Sequence, residues 1–274
     1  MTDHGPVDGR RALPSHLTDS AGQPWEGRHF EPHGHEGDDG AAPPALLAAL
    51  EAFRTAATAE TPDGGSADPV PVIEALRGVR LLVPLVAHAG DEGVTETGLR
   101  VDKTQELSLV TVGGPDGRTV LPAFTSVTAL SAWNPRARPI PVEARRIALA
   151  AAAEGTELIV LDPGSPTEFV LRRPAVWAFA RDTAWLPAVA DPDVVAAFEH
   201  AVEGEPAVAA VRLSAGDPGY RMRGHDVVVL LALLPGLDQA ALSALTGRLQ
   251  RRWAEHPVIA ERVDSLGVRV TAVG

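Results

Sequence analysis

The stretch W-E-G-R-H-F-E-P-H-G-H-E-G-D-D-G, Trp25 to Gly40, gathers three histidines and five carboxylates into sixteen residues. His29, His33 and His35 are the side chains a zinc or nickel ion would choose. A catalytic zinc, however, needs three ligands held tetrahedrally, with further groups orienting their rings. These imidazoles sit among glycine and proline, and ordering such a loop costs roughly 1 kcal/mol or more per residue. No H-E-x-x-H and no D-x-D-x-D-G calcium loop is present, so the expectation is weak adventitious metal binding, with no functional metal and no cofactor. Asp38 and Asp39 resemble a catalytic carboxylate pair, yet adjacent side chains do not converge on one substrate; a helix cap or a docking knot fits them better. Thr125-Ser126 offers a hydroxyl nucleophile without a G-x-S-x-G frame, and only His88 stands as a base that folding could bring near. A helix N-cap accounts for both hydroxyls. Lys103 is the only lysine in the chain. A Schiff-base or phosphate lysine wants an apolar pocket or a glycine cradle, and Lys103 has Asp102 and Glu106 as neighbours instead. The D-P-G-S-P turn after E-L-I-V-L lies where an open sheet can place a ligand, but no G-x-G-x-x-G or Walker motif accompanies it.

Composition narrows the partners. The net charge of -12 argues against nucleic acid and anionic membranes, and it suits a neutral or basic protein partner. There is no cysteine, which removes thiolate nucleophiles, thiolate zinc sites and disulfides together. The first residues, M-T-D-H-G-P-V-D-G-R-R, contain no apolar h-region, and the longest apolar run, Val227 to Leu234, is too short to span a bilayer. A cytoplasmic location is expected.

The elements that must position these residues read as follows. Residues 1–40 are Gly-, Pro-, Asp- and His-rich without periodicity, the pattern of an arm that is disordered or loosely docked through Trp25 and Phe30. A helix begins at the prolines 43 and 44, with Leu46, Leu47, Leu50 and Phe53 on one face. V-I-E-A-L-R is a second helix closed by Gly78. V-R-L-L-V-P-L-V reads as a buried strand, although Pro84 favours an edge or bulge. E-L-S-L-V-T-V, the turn G-G-P-D-G-R and T-V-L-P-A-F form a hairpin. V-T-A-L-S-A-W is a short helix, N-P-R-A-R-P-I-P a turn, V-E-A-R-R-I-A-L-A-A-A-A a strong helix, E-L-I-V-L and E-F-V-L-R strands. P-A-V-W-A-F-A opens another helix, with Trp177, like Trp133 and Trp185, expected in packing. A composition shift around W-L-P-A-V-A-D-P places a boundary near residue 190. Beyond it come a helix, two strands joined by the long loop L-S-A-G-D-P-G-Y-R-M-R-G-H, a helix from Asp238 to Glu255, and a last strand. The expected organisation is α+β: an arm (1–40), a mixed sheet with a β-hairpin and flanking helices (41–189), and a smaller ferredoxin-like domain on an antiparallel sheet (190–274).

Several of these segments together resemble the SseB family, named for enhanced serine sensitivity, in its actinobacterial branch. They are F-E-P-H-G-H-E-G-D-D-G-A-A-P-P-A-L-L-A-A-L, R-L-L-V-P-L-V, G-L-R-V-D-K-T-Q-E-L-S-L-V-T-V and G-R-T-V-L-P-A-F-T-S-V-T-A-L-S-A-W; V-L-L-A-L-L-P-G-L-D resembles the family's C-terminal domain. The F-T-S-x-x-A-L-x-x-W segment is the most specific. The matching positions are Asp38, Asp39, Gly40, Lys103, Phe124, Thr125, Ser126 and Trp133; His29, His33 and His35 fall outside the pattern. The family name records a phenotype and assigns no reaction. The resemblance therefore implies a non-catalytic binding or regulatory module with an unknown protein partner, and a homo-oligomer is a further possibility. Asp38, Asp39, Lys103, Phe124, Thr125, Ser126 and Trp133 are the candidate binding residues. The alternative is a small-ligand sensor or an enzyme of amino-acid metabolism with a pocket near Lys103 and Ser126.

Overall fold

The computed structural model describes residues 37–59, 67–85 and 110–273. The chain divides into two compact units, residues 1–39 and 40–274. Of the first, Gly37, Asp38 and Asp39 are described, and all three are exposed. The described residues of the second are α+β.

Helix α1 (Pro44–Thr58) starts on a proline, whose missing N–H costs nothing in a first turn, and it buries Leu46, Leu50 and Phe53. A short α2 (Val70–Ala75) follows. Strand β1 (Arg80–Leu85) pairs antiparallel with β4 (Arg138–Glu143), setting Pro84 opposite Pro139. N-P-R-A-R-P-I-P was expected to turn; its second half is instead β4. Apart from one bridge between Leu82 and Phe124, the outer sides of this two-stranded ribbon carry no ladder among the described residues, so prolines on both strands are tolerated there.

Strands β2 (Val112–Gly113) and β3 (Thr119–Ala123) form the expected hairpin around Gly117, whose φ of +82° suits a tight turn. Most of E-L-S-L-V-T-V lies outside the described residues. Beyond β3 the chain forms α3 (Val127–Trp133) and α4 (Ala144–Ala153) before β5 (Ile159–Leu161) returns parallel to β3. Strand β6 (Phe169–Leu171) closes the sheet order β2-β3-β5-β6, and α5 (Arg173–Ala180) follows.

The remaining elements are α6 (Pro192–Ala201), β7 (Val208–Ala215), β8 (Val227–Leu233), α7 (Gln239–Glu255), α8 (Pro257–Arg262) and β9 (Leu266–Ala272). Their sheet runs β7-β8-β9, with β7–β8 antiparallel and β8–β9 parallel. This departs from the all-antiparallel sheet expected. Parallel neighbours need a long crossover, and α7 with α8 supplies it.

One hydrophobic cluster joins α1, α2, β1, β3, β5, β6, α4 and α5; a second joins α6, α7, α8 and the inner face of β8. Side-chain alternation splits β1: Leu81 and Val83 enter the first cluster, while Leu82 faces Phe124 and Leu130 in a small third one. Among the described residues no helix is long and apolar enough to cross a membrane.

Candidate functional site

The F-T-S segment follows directly from β3, and the fold engages both of its hydroxyls. Phe124 exchanges backbone hydrogen bonds with Leu82 at 2.8 and 2.9 Å, and its fully buried ring meets the Trp133 ring at 5.2 Å. Thr125 donates twice to Asp162, from its amide to Oδ1 and from its hydroxyl to Oδ2, both at 2.8 Å. The Thr167 hydroxyl adds a third bond to Asp162 Oδ2 at 2.9 Å. Asp162 ends β5 at a left-handed φ of 44° and is 1% exposed. A carboxylate there needs all of these donors, because an unpaired buried charge is costly. Ser126 caps α3, its Oγ accepting from the Ala129 amide at 3.1 Å.

Against this segment lies Gly40. Its carbonyl accepts the Val127 amide at 2.9 Å, and Arg80 ties the same corner by donating to the carbonyls of Thr125 and Ala41, each at 2.6 Å. Gly40 has φ +76°, and a Cβ on it would stand 2.6 Å from Val127 Cγ2, so only glycine fits. Of the candidate binding residues, then, Phe124, Thr125, Ser126 and Trp133 cluster at one corner with Gly40. Asp38 and Asp39 are exposed in the other unit. Lys103 and His88 lie outside the described residues, as do His29, His33 and His35. Among the described residues no group of three or more His, Asp or Glu side chains could hold a metal ion.

Residues 46–178 match the family model of the SseB protein N-terminal domain. The chain belongs to the SseB family. The matched segment runs from α1 into α5 and so contains the F-T-S corner, Asp162 and Arg172. No curated protein and no solved structure matches the chain.

What sequence reasoning missed is how the rest of the chain seals onto this SseB domain. The loop between β7 and β8 drives Tyr220 into the first hydrophobic cluster, stacked on Phe169 at 5.1 Å and edge-on to Phe53 at 5.6 Å. Its carbonyl accepts the Val170 amide of β6 at 3.0 Å, extending that sheet edge by one bond. Met222, two residues on, fills a pocket among Val120, Leu158, Val160 and Val170. Both residues adopt left-handed backbone (φ 50° and 56°), strain of about 1–2 kcal/mol each that is sustained by the burial of their side chains and by Asp217, whose carboxylate accepts the Met222 amide at 2.8 Å. Arg54 of α1 donates to the carbonyls of Gly219 and Glu168, and burial, reinforced by nearby Arg221, lowers its pKa to about 10.

Beneath the loop, Arg172 is 3% exposed and reaches Asp217 at 2.7 Å, Asp264 at 3.0 Å and the Gly224 carbonyl at 3.0 Å. Arg118 grips Asp264 from the other side at 3.0 Å. Asp226 joins the group by accepting the Asp264 amide at 3.0 Å; burial, with the fields of Asp264 and Asp217, pushes its pKa up to about 6. The paired arginines in L-R-R-P and the acids of S-A-G-D-P and G-H-D were each readable as residues. Arg172 meets Asp217 across 45 residues and Asp264 across 92, and that pairing has no local signal.

Proposed function

We propose that this SseB-family chain is a non-catalytic binding module that regulates a protein partner in the cytoplasm and bears on the serine sensitivity for which the family is named. The observation that carries this reading is the commitment of the F-T-S hydroxyls: Thr125 is spent on Asp162 and Ser126 on the α3 cap, leaving no hydroxyl poised as a nucleophile there. What remains outward at that corner suits contact with another surface, with Val127 at 38% exposure and Trp133 half-buried beside it.

The test is complementation. A strain lacking the gene is given the wild type, Val127→Asp or Lys103→Ala, and growth is scored under serine challenge while circular dichroism confirms folding. The binding-module reading expects at least one variant to lose complementation while remaining folded. Unchanged growth with both variants refutes the assigned surface. Turnover of an amino acid by purified protein, abolished by Lys103→Ala or Ser126→Ala, would favour the sensor-or-enzyme alternative instead.

A further inference from the structure

Strand β9 stands at the edge of its sheet, and among the described residues nothing pairs with its outer side. The direction of its free groups follows from its bonds to β8. Ser265 accepts from Val227, and Val273 donates to Leu233, so the odd-numbered residues face β8. In a parallel pair the alternate residues then point their amides and carbonyls the other way. Leu266, Val268, Val270 and Ala272 therefore present a ladder of unused donors and acceptors. Native edges of this length are ordinarily blunted by charged side chains, proline or a covering element; β9 has no proline, its one charge is Arg269, and among the described residues no strand covers its edge.

Beside this ladder lies a cavity of about 280 Å³, between β9, α7 and α8. Trp253, Ile259, Val263, Leu266 and Val268 wall it, and no residue of β8 does, so it opens on the free side of the strand. Leu266 and Val268 contribute both the cavity wall and the unpaired backbone. A strand laid along β9 would thus set one of its alternate side chains over the cavity, which has room for a single large apolar group.

Arginines flank the strip, and the one acid among the residues that line the cavity, Asp264, is held by Arg118 and Arg172. Arg173 lines the cavity; its Nη2 serves the carbonyls of Ala260 and Val263, and its Nε lies 4.0 Å from the Glu157 carboxylate. On the outer face Arg269 is exposed, and Arg212 sits two strands away in the same row, with Leu230 between them. Neither guanidinium is paired with a carboxylate among the described residues. A second copy of β9, L-G-V-R-V-T-A, would bring no acid to meet them and would add a further arginine.

We propose that the open edge of β9 is the docking strip for an extended acidic peptide of a partner protein, which adds as a fourth strand and seats one large apolar side chain in the adjoining cavity. The inference rests on the binding-module reading above and gives it a surface and a partner chemistry. Recognition divides in the way strand addition requires. Backbone bonds along Leu266 to Ala272 supply affinity, the cavity selects the anchor, and the arginines select acidic neighbours.

The probe is a fluorescein-labelled nonapeptide alternating valine and glutamate with a central leucine, titrated into the full-length protein by fluorescence polarisation. Binding should weaken roughly tenfold or more when alanine replaces the leucine, when lysine replaces glutamate, and in the exposed-site variant Arg269→Glu. Arg173→Glu serves as a second variant on the cavity side. Hydrogen exchange at the Val268 and Val270 amides should be fast in the free protein and slow at least tenfold with peptide bound. Absence of binding at millimolar peptide, binding without protection of these amides, or indifference to both charge reversals would each overturn the proposal. So would a dimer by light scattering whose β9 amides are already protected. None of these readouts depends on serine-challenge growth, so the strip and the regulatory reading fail separately.

Discussion

Replacing Asp226 by asparagine should make the protein more stable at neutral pH. Asp226 accepts the Asp264 amide at 3.0 Å, a bond an asparagine Oδ1 can keep, and it shares its surroundings with two further carboxylates, Asp217 and Asp264. Burial comes first among the causes that raise its pKa from 3.8 to about 6, and Arg172 only partly offsets it. Below about pH 4 folded and unfolded chains both hold the proton and no penalty exists. Between about pH 4 and about pH 6 the folded state keeps a proton that the unfolded state has released, so stability falls as pH rises. Above about pH 6 the full cost persists: about two pKa units at 1.36 kcal/mol each, or about 3 kcal/mol. Asp226 keeps partial exposure, and solvent screening trims this to about 2 kcal/mol. Urea unfolding of wild type and Asp226→Asn from about pH 4 to about pH 8 isolates the effect, because other titrating groups cancel in the difference. The variant's advantage should be absent at the acid end, grow through the interval and level off. A flat difference, or a variant less stable at the alkaline end, would show that Arg172 holds the Asp226 charge favourably and that the carboxylate is not strained by its neighbours.

Three other substitutions probe the packing that frames the F-T-S corner and the loop. Tyr220→Ala removes the ring stacked on Phe169 and should cost about 3–5 kcal/mol, read as a drop in urea midpoint, with the strained backbone recovering little of it. Gly40→Ala forces a left-handed φ and a 2.6 Å approach to Val127, so about 1–3 kcal/mol should be lost; a Val127→Ala background should restore the steric share but not the backbone share. Thr125→Val keeps shape while removing one donor from a buried carboxylate, an expected loss of about 1–3 kcal/mol in thermal or urea unfolding.

The parts of this molecule that were legible in its sequence are those decided within one turn or one strand. Pro44 at a helix start, Ser126 before an apolar run, G-G-P-D-G-R between strands and Asp238 ahead of α7 are local signals, and the corresponding elements stand where those residues put them. The F-T-S-x-x-A-L-x-x-W segment was legible as a pattern for a reason the structure supplies. Phe124 and Trp133 pack on each other, Leu130 is buried beneath them, and Ser126 starts the helix that spaces them. Its candidate role was less legible, since nothing in the segment itself reveals that Thr125 must satisfy Asp162, thirty-seven residues away. Strand β4 failed for a related reason: proline argues for a turn unless a partner strand exists, and the partner, β1, carries a proline of its own at the matching register.

The seal around Tyr220 extends that logic to the whole second unit. A thirteen-residue hairpin loop of glycine, proline and arginine reads locally as a solvated connection. Its residues acquire meaning only through Phe169 of β6, Arg172 between β6 and α5, Arg54 of α1 and the Asp264 that follows α8. The ionic contacts under the loop cannot be the main source of its adhesion, because desolvating three acids against two arginines roughly cancels the Coulomb gain. The two buried side chains, Tyr220 and Met222, must supply it, and they do so despite left-handed backbone at both positions. The arginines and acids then act on geometry: a loop shifted by one residue would leave Arg172 and Asp217 buried and unpaired, a cost of several kcal/mol, so the charges fix the register that the apolar side chains hold shut.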